Sequence, residues 1–280
     1  MNPIPHSAPI RTPELGVIQE TLLIPLYFRA LESARPDAIV RDPKAVEVVA
    51  ELDYDFSRFD RAGAVYLDII IRTEVLDEQV RAFIDRHPRS TIINLGAGLC
   101  GRLPRVDNGE ILWFDLDMPD AMELRRRFYP EGPRNFLISG SMFDPSWMDS
   151  VPLDDETRPV LVIAEGLFCY FEESEIRELL ALIAARRPGS ELLFQSISPR
   201  YVDMHHRVAA VKQTGAALKW GIQSARELTQ WNDDYEFLGE WSFIDRHRRR
   251  WGWRWYATWI PWVYRDMKAV MKVSHLRLGT

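Results

Sequence analysis

The chain has 280 residues, of which 46% are hydrophobic and 27% charged, with a formal net charge of −6. These values fit one large α/β domain or two small ones, and the acidic balance argues against duplex nucleic acid as the main partner. The two cysteines, Cys100 and Cys169, are too few for a disulfide framework or a zinc cluster, and we predict no metal site.

The N-terminal residues lack a charged segment followed by an apolar one, and no long apolar run follows later in the chain. We therefore predict a cytoplasmic protein with reduced thiols, without a signal peptide and without a membrane partner. The sequence leaves the oligomeric state open between a monomer and a homo-oligomer.

The first part of the chain is predicted to be mainly helical. An apolar helical pattern spans 14–33, where Pro25 is expected to kink or split the helix. A second helix is predicted from its N-cap Asp42 to about residue 52, and a third over 72–86.

After residue 88 the pattern changes to short, continuous apolar runs separated by helical segments. Continuous runs indicate strands buried on both faces, as in a parallel sheet. The runs are 91–95, 111–115, 136–138, 160–164 and 192–194. Between the last two, a helix is predicted over 174–187 with Ser174 as its N-cap. This alternation predicts a doubly wound α/β fold.

The last part of the chain predicts a helical insertion and two closing strands. Residues 203–231 are predicted to be helical, and 236–244 and 270–278 to be strands. Eight of the ten tryptophans lie in this region, beside the basic run Arg246–Arg250. We interpret them as core, interface or substrate-lid residues, because an acidic chain disfavours nucleic acid.

The sharpest local motif is the glycine loop Gly96-Ala97-Gly98, which directly follows a predicted strand. Glycines in such a turn let the backbone approach a ligand closely. An acid about 20 residues later, at the end of the next strand, accepts hydrogen bonds from ribose hydroxyls in nucleotide-type cofactors. Asp115 and Asp117 both occupy that place. Gly101 completes the formal spacing G-x-G-x-x-G, so an NAD-type oxidoreductase is an alternative.

Several motifs follow one another over about residues 20–200: Arg72-Thr73 with Asp77, His87-Pro88, Asn94–Leu99 with Arg102, Trp113–Pro119, and Ala164-Glu165-Gly166 with Tyr170. In this order they resemble the leucine carboxyl methyltransferase family, most closely its polyketide (tetracenomycin-type) O-methyltransferase branch. The resemblance implies a Rossmann-like class I methyltransferase fold, with a mostly parallel seven-stranded sheet and helices on both faces. It also implies a helical cap (1–88), a methyltransferase domain (89–280) and a substrate-cap insertion at about 199–235, all in one compact unit.

The resemblance implies S-adenosyl-L-methionine as the cofactor and assigns residues to the cofactor's methionine end. Arg72 is expected to pair with the methionine carboxylate, and Glu165 to lie near the amino group. Gly96, Ala97 and Gly98 are expected to pass beneath the methionine and the ribose.

Other positions are expected at the nucleoside end. Asp117, before Met118-Pro119, is similar to the ribose-binding acid of the family, and Asp115 is the alternative drawn from spacing alone. Ser141 and Met142 match positions beside the adenine.

The predicted activity is methyl transfer to a carboxylate or hydroxyl oxygen of a small molecule, in secondary-metabolite biosynthesis. A carboxylate acceptor needs no general base, whereas a phenol benefits from one. His205 and His206 in the insertion are the candidate bases, and Tyr170 is expected at the edge of the active site. Cys100-Gly101 replaces the family's usual Asp-Thr, which keeps a non-catalytic S-adenosylmethionine-binding protein as a further alternative.

Overall fold

The predicted apolar runs become the parallel strands of one seven-stranded sheet in the computed structural model, which describes residues 10–11, 19–204 and 217–279. The strands are β1 (Ile10–Arg11), β2 (Leu52–Asp53), β3 (Thr91–Leu95), β4 (Leu112–Asp117), β5 (Asn135–Ser139), β6 (Val160–Ala164), β7 (Ser190–Ile197), β8 (Glu236–Ser242) and β9 (Met271–Leu278). Strands β1 and β2 form a separate parallel pair. Every residue of β3 and β6 is buried, as continuous apolar strands require.

The order of the large sheet is β5-β4-β3-β6-β7-β9-β8. Strands β3 to β7 pair in parallel, and β9 lies antiparallel between β7 and β8. The strand order reverses between β3 and β6, so a crevice is expected beyond the carboxyl ends of these two strands. Strands β8 and β9 confirm the two closing strands predicted from the sequence.

Helices cover both faces of this sheet. They are α1 (Leu23–Ser33), α2 (Pro43–Glu51), α3 (Gly63–Arg86), α4 (Leu103–Val106), α5 (Pro119–Phe128), α6 (Glu173–Arg186), α7 (Pro199–Met204), α8 (Trp253–Ala257) and α9 (Pro261–Val270). Helix α6 contributes Ile176 and Leu180 to the core on one face, and α3 contributes Val80 and Phe83 to the core on the other. Helices α1 and α2 pack beside α3 around a third apolar cluster.

Two predicted helices have different starts. Pro25 is the third residue of α1, and a separate 3-10 turn at Gln19–Leu22 directly precedes this helix. The helical segment is therefore divided into two elements just before Pro25, as predicted. Residues 14–18 of that prediction lie outside the described residues. Helix α3 begins at Gly63 rather than at 72. Its first half is apolar around most of its surface because it packs against both α1 and the sheet, which hides the helical period.

Two local predictions are wrong. The N-cap of α6 is Glu172, whose side chain forms a capping box with Glu175, so Ser174 lies inside the first turn. Of the predicted helix over 203–231, residues 203–204 end α7 and 205–216 lie outside the described residues, whereas 217–231 contain only a short 3-10 turn at Ala225–Gln230. Backbone donors there bind other segments, with Ile222 N to Ile197 O at 2.8 Å and Lys219 N to Cys169 O at 2.7 Å.

Among the described residues, no helix has both the length and the apolar composition needed to cross a membrane. Within the same part of the chain, no group of three or more His, Cys, Asp or Glu side chains is arranged to hold a metal ion.

Candidate functional site

A cavity of about 450 Å³ lies at the carboxyl ends of the parallel strands, where the strand order reverses. This volume is in the range of small-molecule sites. The cavity is lined by the glycine loop after β3, the end of β4 and the segments after β5 and β6. Residues of α1 and α3 line it as well. The cavity brings together all the predicted cofactor residues except Asp115, and Tyr170 lines it as well.

The glycine loop has a backbone that only glycine adopts without strain. Gly96 has φ +60° and Gly98 has φ +46°. A Cβ atom at Gly96 would lie 2.8 Å from Leu167 Cδ1, and one at Gly98 would lie 3.0 Å from Leu22 Cβ. The loop thus leaves no room for side chains, so its backbone forms one wall of the cavity.

Gly96→Ala is expected to weaken S-adenosylhomocysteine binding by about tenfold, or roughly 1.4 kcal/mol, because the added Cβ displaces the Leu167 side chain, which lines the cavity. Isothermal titration calorimetry measures this change. Gly109→Ala is the matched control, since Gly109 also has positive φ but no atom within 4 Å of an added Cβ. The control carries the backbone strain alone, of about 1–2 kcal/mol, and should bind normally. Equal affinities in the two variants would contradict this role of the loop.

Asp117 faces the cavity, whereas Asp115 does not. The Asp117 carboxylate accepts hydrogen bonds from Gly98 N at 2.6 Å and Met118 N at 2.7 Å, and it lines the cavity. Burial raises the pKa of Asp117, although the two backbone hydrogen bonds oppose that rise. The fixed carboxylate keeps acceptor capacity for ligand hydroxyls.

Asp115 is fully buried, and its carboxylate accepts from Asn94 Nδ2 at 2.8 Å, Trp113 Nε1 at 2.8 Å and Arg125 at 2.6 Å. The guanidinium of Arg125 in turn donates to the carbonyl oxygens of Gly98 and Cys100. The alternative assignment of Asp115 as a cofactor ligand is therefore corrected, because its carboxylate faces away from the cavity. It supports the glycine loop from behind, through Arg125.

Glu165, at the end of β6, lies between two arginines. Its carboxylate accepts from Arg72 Nε at 2.8 Å and from Arg102 at 2.5 Å, and Arg72 also donates to Gln195 Oε1 at 2.6 Å. Burial alone would raise the pKa of Glu165, but the charges of Arg72 and Arg102 outweigh it and hold the pKa well below its usual range. Glu165 is therefore a fixed anion beside the cavity.

The ion pairs continue from Glu165 to the N-terminal helices. Arg102 also donates to Asp77 at 2.7 Å, and Arg105 joins Asp77 to Asp42. Asp42 is the N-cap of α2, as predicted, and accepts from Arg29 at 2.8 Å. The chain of alternating charges links α1, α2 and α3 to the glycine loop, so these helices are part of the site.

The departure at Cys100-Gly101 has a structural reason. A Cβ at Gly101 would lie 3.0 Å from an Asp42 carboxylate oxygen and 3.3 Å from the Tyr129 hydroxyl. The carboxylate of Asp42 thus occupies the space that a threonine side chain would need. Cys100 lines the cavity, whereas Gly101 does not.

Ser141 and Met142 lie beside the cavity, and Met142 is largely buried. The Ser141 hydroxyl accepts from Phe143 N at 3.2 Å, and the Met142 carbonyl accepts from Trp147 Nε1 at 3.0 Å. They form an apolar wall with one hydroxyl, which suits an aromatic ring.

Tyr170 lines the cavity, and burial raises the pKa of its phenol. It therefore stays protonated at neutral pH and can donate a hydrogen bond, but it does not serve as a base. His205 and His206, the predicted bases, lie outside the described residues.

The polar side chains that line the cavity and that sequence reasoning missed include Asp68 on α3 and Tyr201 on α7. Asp68 is the one charged residue in the apolar stretch 63–71 and lies four residues before Arg72, on the same side of the helix. An acid inside such an apolar stretch was the available signal.

The basic run 246–250 binds acidic residues of the N-terminal helices. Arg246 donates to Glu78 at 2.6 Å, His247 contacts Glu74 at 2.8 Å, and Arg250 donates to Glu32 at 2.8 Å. This run attaches the C-terminal segment to α1 and α3. Its structural interpretation therefore holds for these three side chains.

Comparison with known proteins assigns the family. The chain is 34% identical over 235 residues to the tetracenomycin polyketide synthesis O-methyltransferase of Streptomyces glaucescens, covering 84% of this chain and 86% of that protein. The chain belongs to this family of S-adenosylmethionine-dependent methyltransferases. Its cofactor is S-adenosyl-L-methionine. The resemblance predicted from the sequence motifs is confirmed.

Other comparisons agree. An S-adenosyl-L-methionine-dependent methyltransferase of Gibberella zeae is 35% identical over 181 residues, which cover 59% of this chain and 60% of that protein. The crystal structure of a DUF574 family protein from Streptomyces avermitilis has the same fold, with a TM-score of 0.60 and 14% identity over 94% of this chain and 100% of that one. No model of a protein family matches the chain. The class I methyltransferase fold predicted from the sequence is confirmed.

The NAD-type alternative is therefore wrong, and the structure shows why the motif misled. Gly101, the third glycine of the spacing, packs against Asp42 away from the cavity. The loop leads into α4, which has four residues, rather than into a long helix whose N-terminus could hold a pyrophosphate. Strand β9 also separates β7 from β8, unlike the dinucleotide-binding order 3-2-1-4-5-6.

Proposed function

We propose that the protein transfers the methyl group of S-adenosylmethionine to a carboxylate or hydroxyl oxygen of a small molecule in secondary-metabolite biosynthesis. The observation that carries this proposal is the cavity at the strand-order reversal, which joins the glycine loop, Asp117 and the Glu165–Arg72 pair. The oxygen acceptor is inferred from the relative of Streptomyces glaucescens, which is named as an O-methyltransferase of polyketide synthesis.

The residues at the cavity fit the cofactor in charge and in shape. Arg72 would bind the methionine carboxylate, and Glu165 the ammonium group, because each group meets a fixed opposite charge. Asp117 would accept the ribose hydroxyls, and Ser141 and Met142 would contact the adenine. The bound cofactor supplies a methyl group already activated by its sulfonium.

The protein's own task is to position the acceptor and to exclude water. Part of the cavity lining is apolar and would hold the acceptor's carbon skeleton: Ile197, Leu218 and Met271. We propose that 1–88 act as a cap, that 89–280 form the methyltransferase domain, and that the insertion at about 199–235 borders the acceptor. Cys100 and Cys169 are free thiols, as suits the proposed cytoplasmic location. A homo-oligomer stays a prediction.

Methyl-labelled S-adenosylmethionine tests the acceptor oxygen directly. The protein is incubated with a panel of hydroxylated polycyclic aromatics and the corresponding carboxylic acids, and each product is treated with base. A methyl ester releases labelled methanol, whereas a methyl ether does not. Label in either form supports the proposal. Label only on nitrogen or carbon, or no transfer to any of these acceptors, contradicts it.

Arg72→Ala is expected to weaken S-adenosylhomocysteine binding by about 1.5–3 kcal/mol, the size of a hydrogen bond to a charged group. Arg81→Ala is the control, because Arg81 is an exposed residue on the same helix whose side chain binds the carbonyl of Arg105. Isothermal titration calorimetry measures the affinity of both folded variants for S-adenosylhomocysteine. Unchanged affinity in Arg72→Ala would refute its assignment to the carboxylate.

A further inference from the structure

An exposed aromatic patch lies on the turn between α8 and α9. Tyr256 is 67% exposed, Trp259 74%, Ile260 46% and Trp262 64%, and the rings of Tyr256 and Trp259 lie 6.0 Å apart. An aromatic side chain carries about 150–250 Å² of surface, so three such rings expose on the order of several hundred Å². An apolar patch of this size on a protein surface marks a contact with a partner.

The segment around this patch is strongly basic. Residues 246–272 include eight arginines and lysines but a single acid, Asp266, in a chain whose net charge is −6. Asp266 pairs with Arg200 at 2.7 Å, so its charge is already matched. Acids of other segments balance part of the positive charge, as the pairs of Arg246 with Glu78 and of Arg250 with the N-terminal helices show.

Arg248 and Arg265 are cations whose charge is not balanced in this way. Both are exposed, and neither forms an ion pair within the described part of the chain. The guanidinium of Arg248 lies 4.5 Å from the centre of the Trp255 ring, next in sequence to Tyr256. Arg265 follows Trp262 by three residues on α9, so the two lie on the same exposed side of that helix. Unpaired positive charge therefore adjoins the aromatic patch through both helices.

We propose that this aromatic–basic face binds the surface of an anionic lipid bilayer. The face consists of Arg248, Tyr256, Trp259, Ile260, Trp262 and Arg265. Tryptophan and tyrosine rings concentrate at the boundary between lipid headgroups and acyl chains, and neighbouring arginines attract anionic headgroups. Such a peripheral contact needs no membrane-spanning helix, so the sequence shows no long apolar run that would indicate it. The inference is independent of the proposed methyl transfer.

A second copy of the chain fits this face less well. In a two-fold dimer the same face meets itself, so the arginines of one copy would approach those of the other. The single acid of the segment, Asp266, is already paired and does not offset them. Like charges brought together across an interface disfavour the contact.

A folded acidic protein also fits less well than a bilayer. The exposed rings project from a short turn that contains Pro261, and a rigid partner would need a complementary pocket for each ring. A fluid interface accommodates projecting rings without such pockets. Aromatic side chains of peripheral segments enter it to a depth of about 5–10 Å.

Co-sedimentation of the full chain with unilamellar vesicles tests the proposal. One set of vesicles contains phosphatidylcholine alone, and the other contains equal parts of phosphatidylcholine and phosphatidylglycerol. We expect saturable binding to the mixed vesicles and binding at least about tenfold weaker to phosphatidylcholine alone. Binding to the mixed vesicles should weaken at high salt, because the exposed charges are then screened.

Trp259→Ala/Trp262→Ala tests the apolar part of the face. This double variant should bind the mixed vesicles about tenfold or more weakly, because two rings no longer enter the interface. Leu31→Ala/Val46→Ala is the matched control, since these apolar residues on α1 and α2 are also exposed, at 43% and 44%. The control should bind as the wild-type protein does.

Arg265→Ala tests the charged part. It should weaken binding to the mixed vesicles about fivefold, the contribution of one basic residue at an anionic membrane surface. Arg89→Ala, which removes an exposed arginine just before β3, is the control and should leave binding unchanged.

Quenching by brominated lipid locates the contact. Phosphatidylcholine that carries bromine in its acyl chains quenches the fluorescence of tryptophans that enter the bilayer. The wild-type protein should lose fluorescence on mixed vesicles made with this lipid, and Trp259→Ala/Trp262→Ala should lose much less.

Three outcomes would overturn the proposal. The first is no binding to the mixed vesicles, or binding that Trp259→Ala/Trp262→Ala retains in full. The second, measured by sedimentation velocity, is a wild-type dimer that becomes a monomer in this variant, which would make the face a contact between copies. The third is binding of a polyglutamate peptide in place of vesicles, which would make the partner an acidic protein.

Titration with S-adenosylhomocysteine keeps this proposal distinct from the proposed function. None of the substituted residues lines the cavity, so all these variants should bind S-adenosylhomocysteine as the wild-type protein does. If they do and the vesicles are not bound, only the lipid proposal fails. If the wild-type protein does not bind S-adenosylhomocysteine, the proposed function fails, and the vesicle experiment still decides the lipid proposal.

Discussion

Asp115→Ala is expected to lower the free energy of unfolding by about 3–5 kcal/mol, the cost of removing one partner of a buried ion pair. Asp115 is fully buried, and the substitution leaves Arg125, Asn94 and Trp113 without their common acceptor. Arg125 is itself only 3% exposed, so water does not replace the lost carboxylate. Urea denaturation followed by circular dichroism measures the change.

Asp117→Ala is the comparison for this prediction, because Asp117 faces the cavity two residues later on the same strand. It should lose much less stability than Asp115→Ala and should weaken S-adenosylhomocysteine binding about tenfold or more, as loss of hydrogen bonds to a charged group predicts. The reverse pattern, with Asp115→Ala stable and impaired in binding, would restore Asp115 as the ribose ligand.

Glu165→Gln is expected to lower the free energy of unfolding by about 3 kcal/mol at pH 7 and to weaken cofactor binding. The amide cannot neutralise Arg72 and Arg102, and Arg102 is fully buried. Because the folded protein holds the pKa of Glu165 below its ordinary value, the carboxylate stabilises the fold above the ordinary Glu pKa of about 4.3. This contribution is lost as the pH falls towards the folded-state pKa, so the stability difference between wild type and variant should narrow below about pH 4.

Glu191→Gln provides the control for Glu165→Gln. Glu191 lies near the start of β7, at the sheet end opposite the cavity, and pairs with His275 at 2.7 Å. The Glu191→Gln variant should be less stable than the wild-type protein but should keep its affinity for S-adenosylhomocysteine. If the two variants bound the cofactor equally well, the proposed role of Glu165 beside the amino group would be incorrect.

The central strands could be predicted because burial on both faces leaves a continuous apolar sequence. The run 91–95 matches β3 residue for residue, and 160–164 matches β6. The glycine loop could also be predicted, because the tight turn after β3 requires positive φ at Gly96 and Gly98, which glycine adopts readily. Local chemistry therefore determines these features, and the sequence displays it.

Other features depend on tertiary contacts that the sequence does not display. Asp115 and Asp117 have equivalent spacing, and only the side chain of Arg125 beneath the loop separates their roles. The segment 217–224 lacks helical hydrogen bonds because its backbone binds the end of β7 and Cys169. Asp68 was missed because the helix was predicted to begin only at residue 72, so this acid in an apolar stretch was not placed on the helix that carries Arg72.

Calorimetric titration of the purified protein with S-adenosylhomocysteine, with NAD and NADP in parallel, tests the central claim most directly. We predict saturable binding of S-adenosylhomocysteine at one site per chain, weakened in Arg72→Ala and Asp117→Ala, and no binding of either dinucleotide. Binding of NAD without S-adenosylhomocysteine, or S-adenosylhomocysteine binding that neither substitution changes, would contradict the assignment of this cavity to the cofactor.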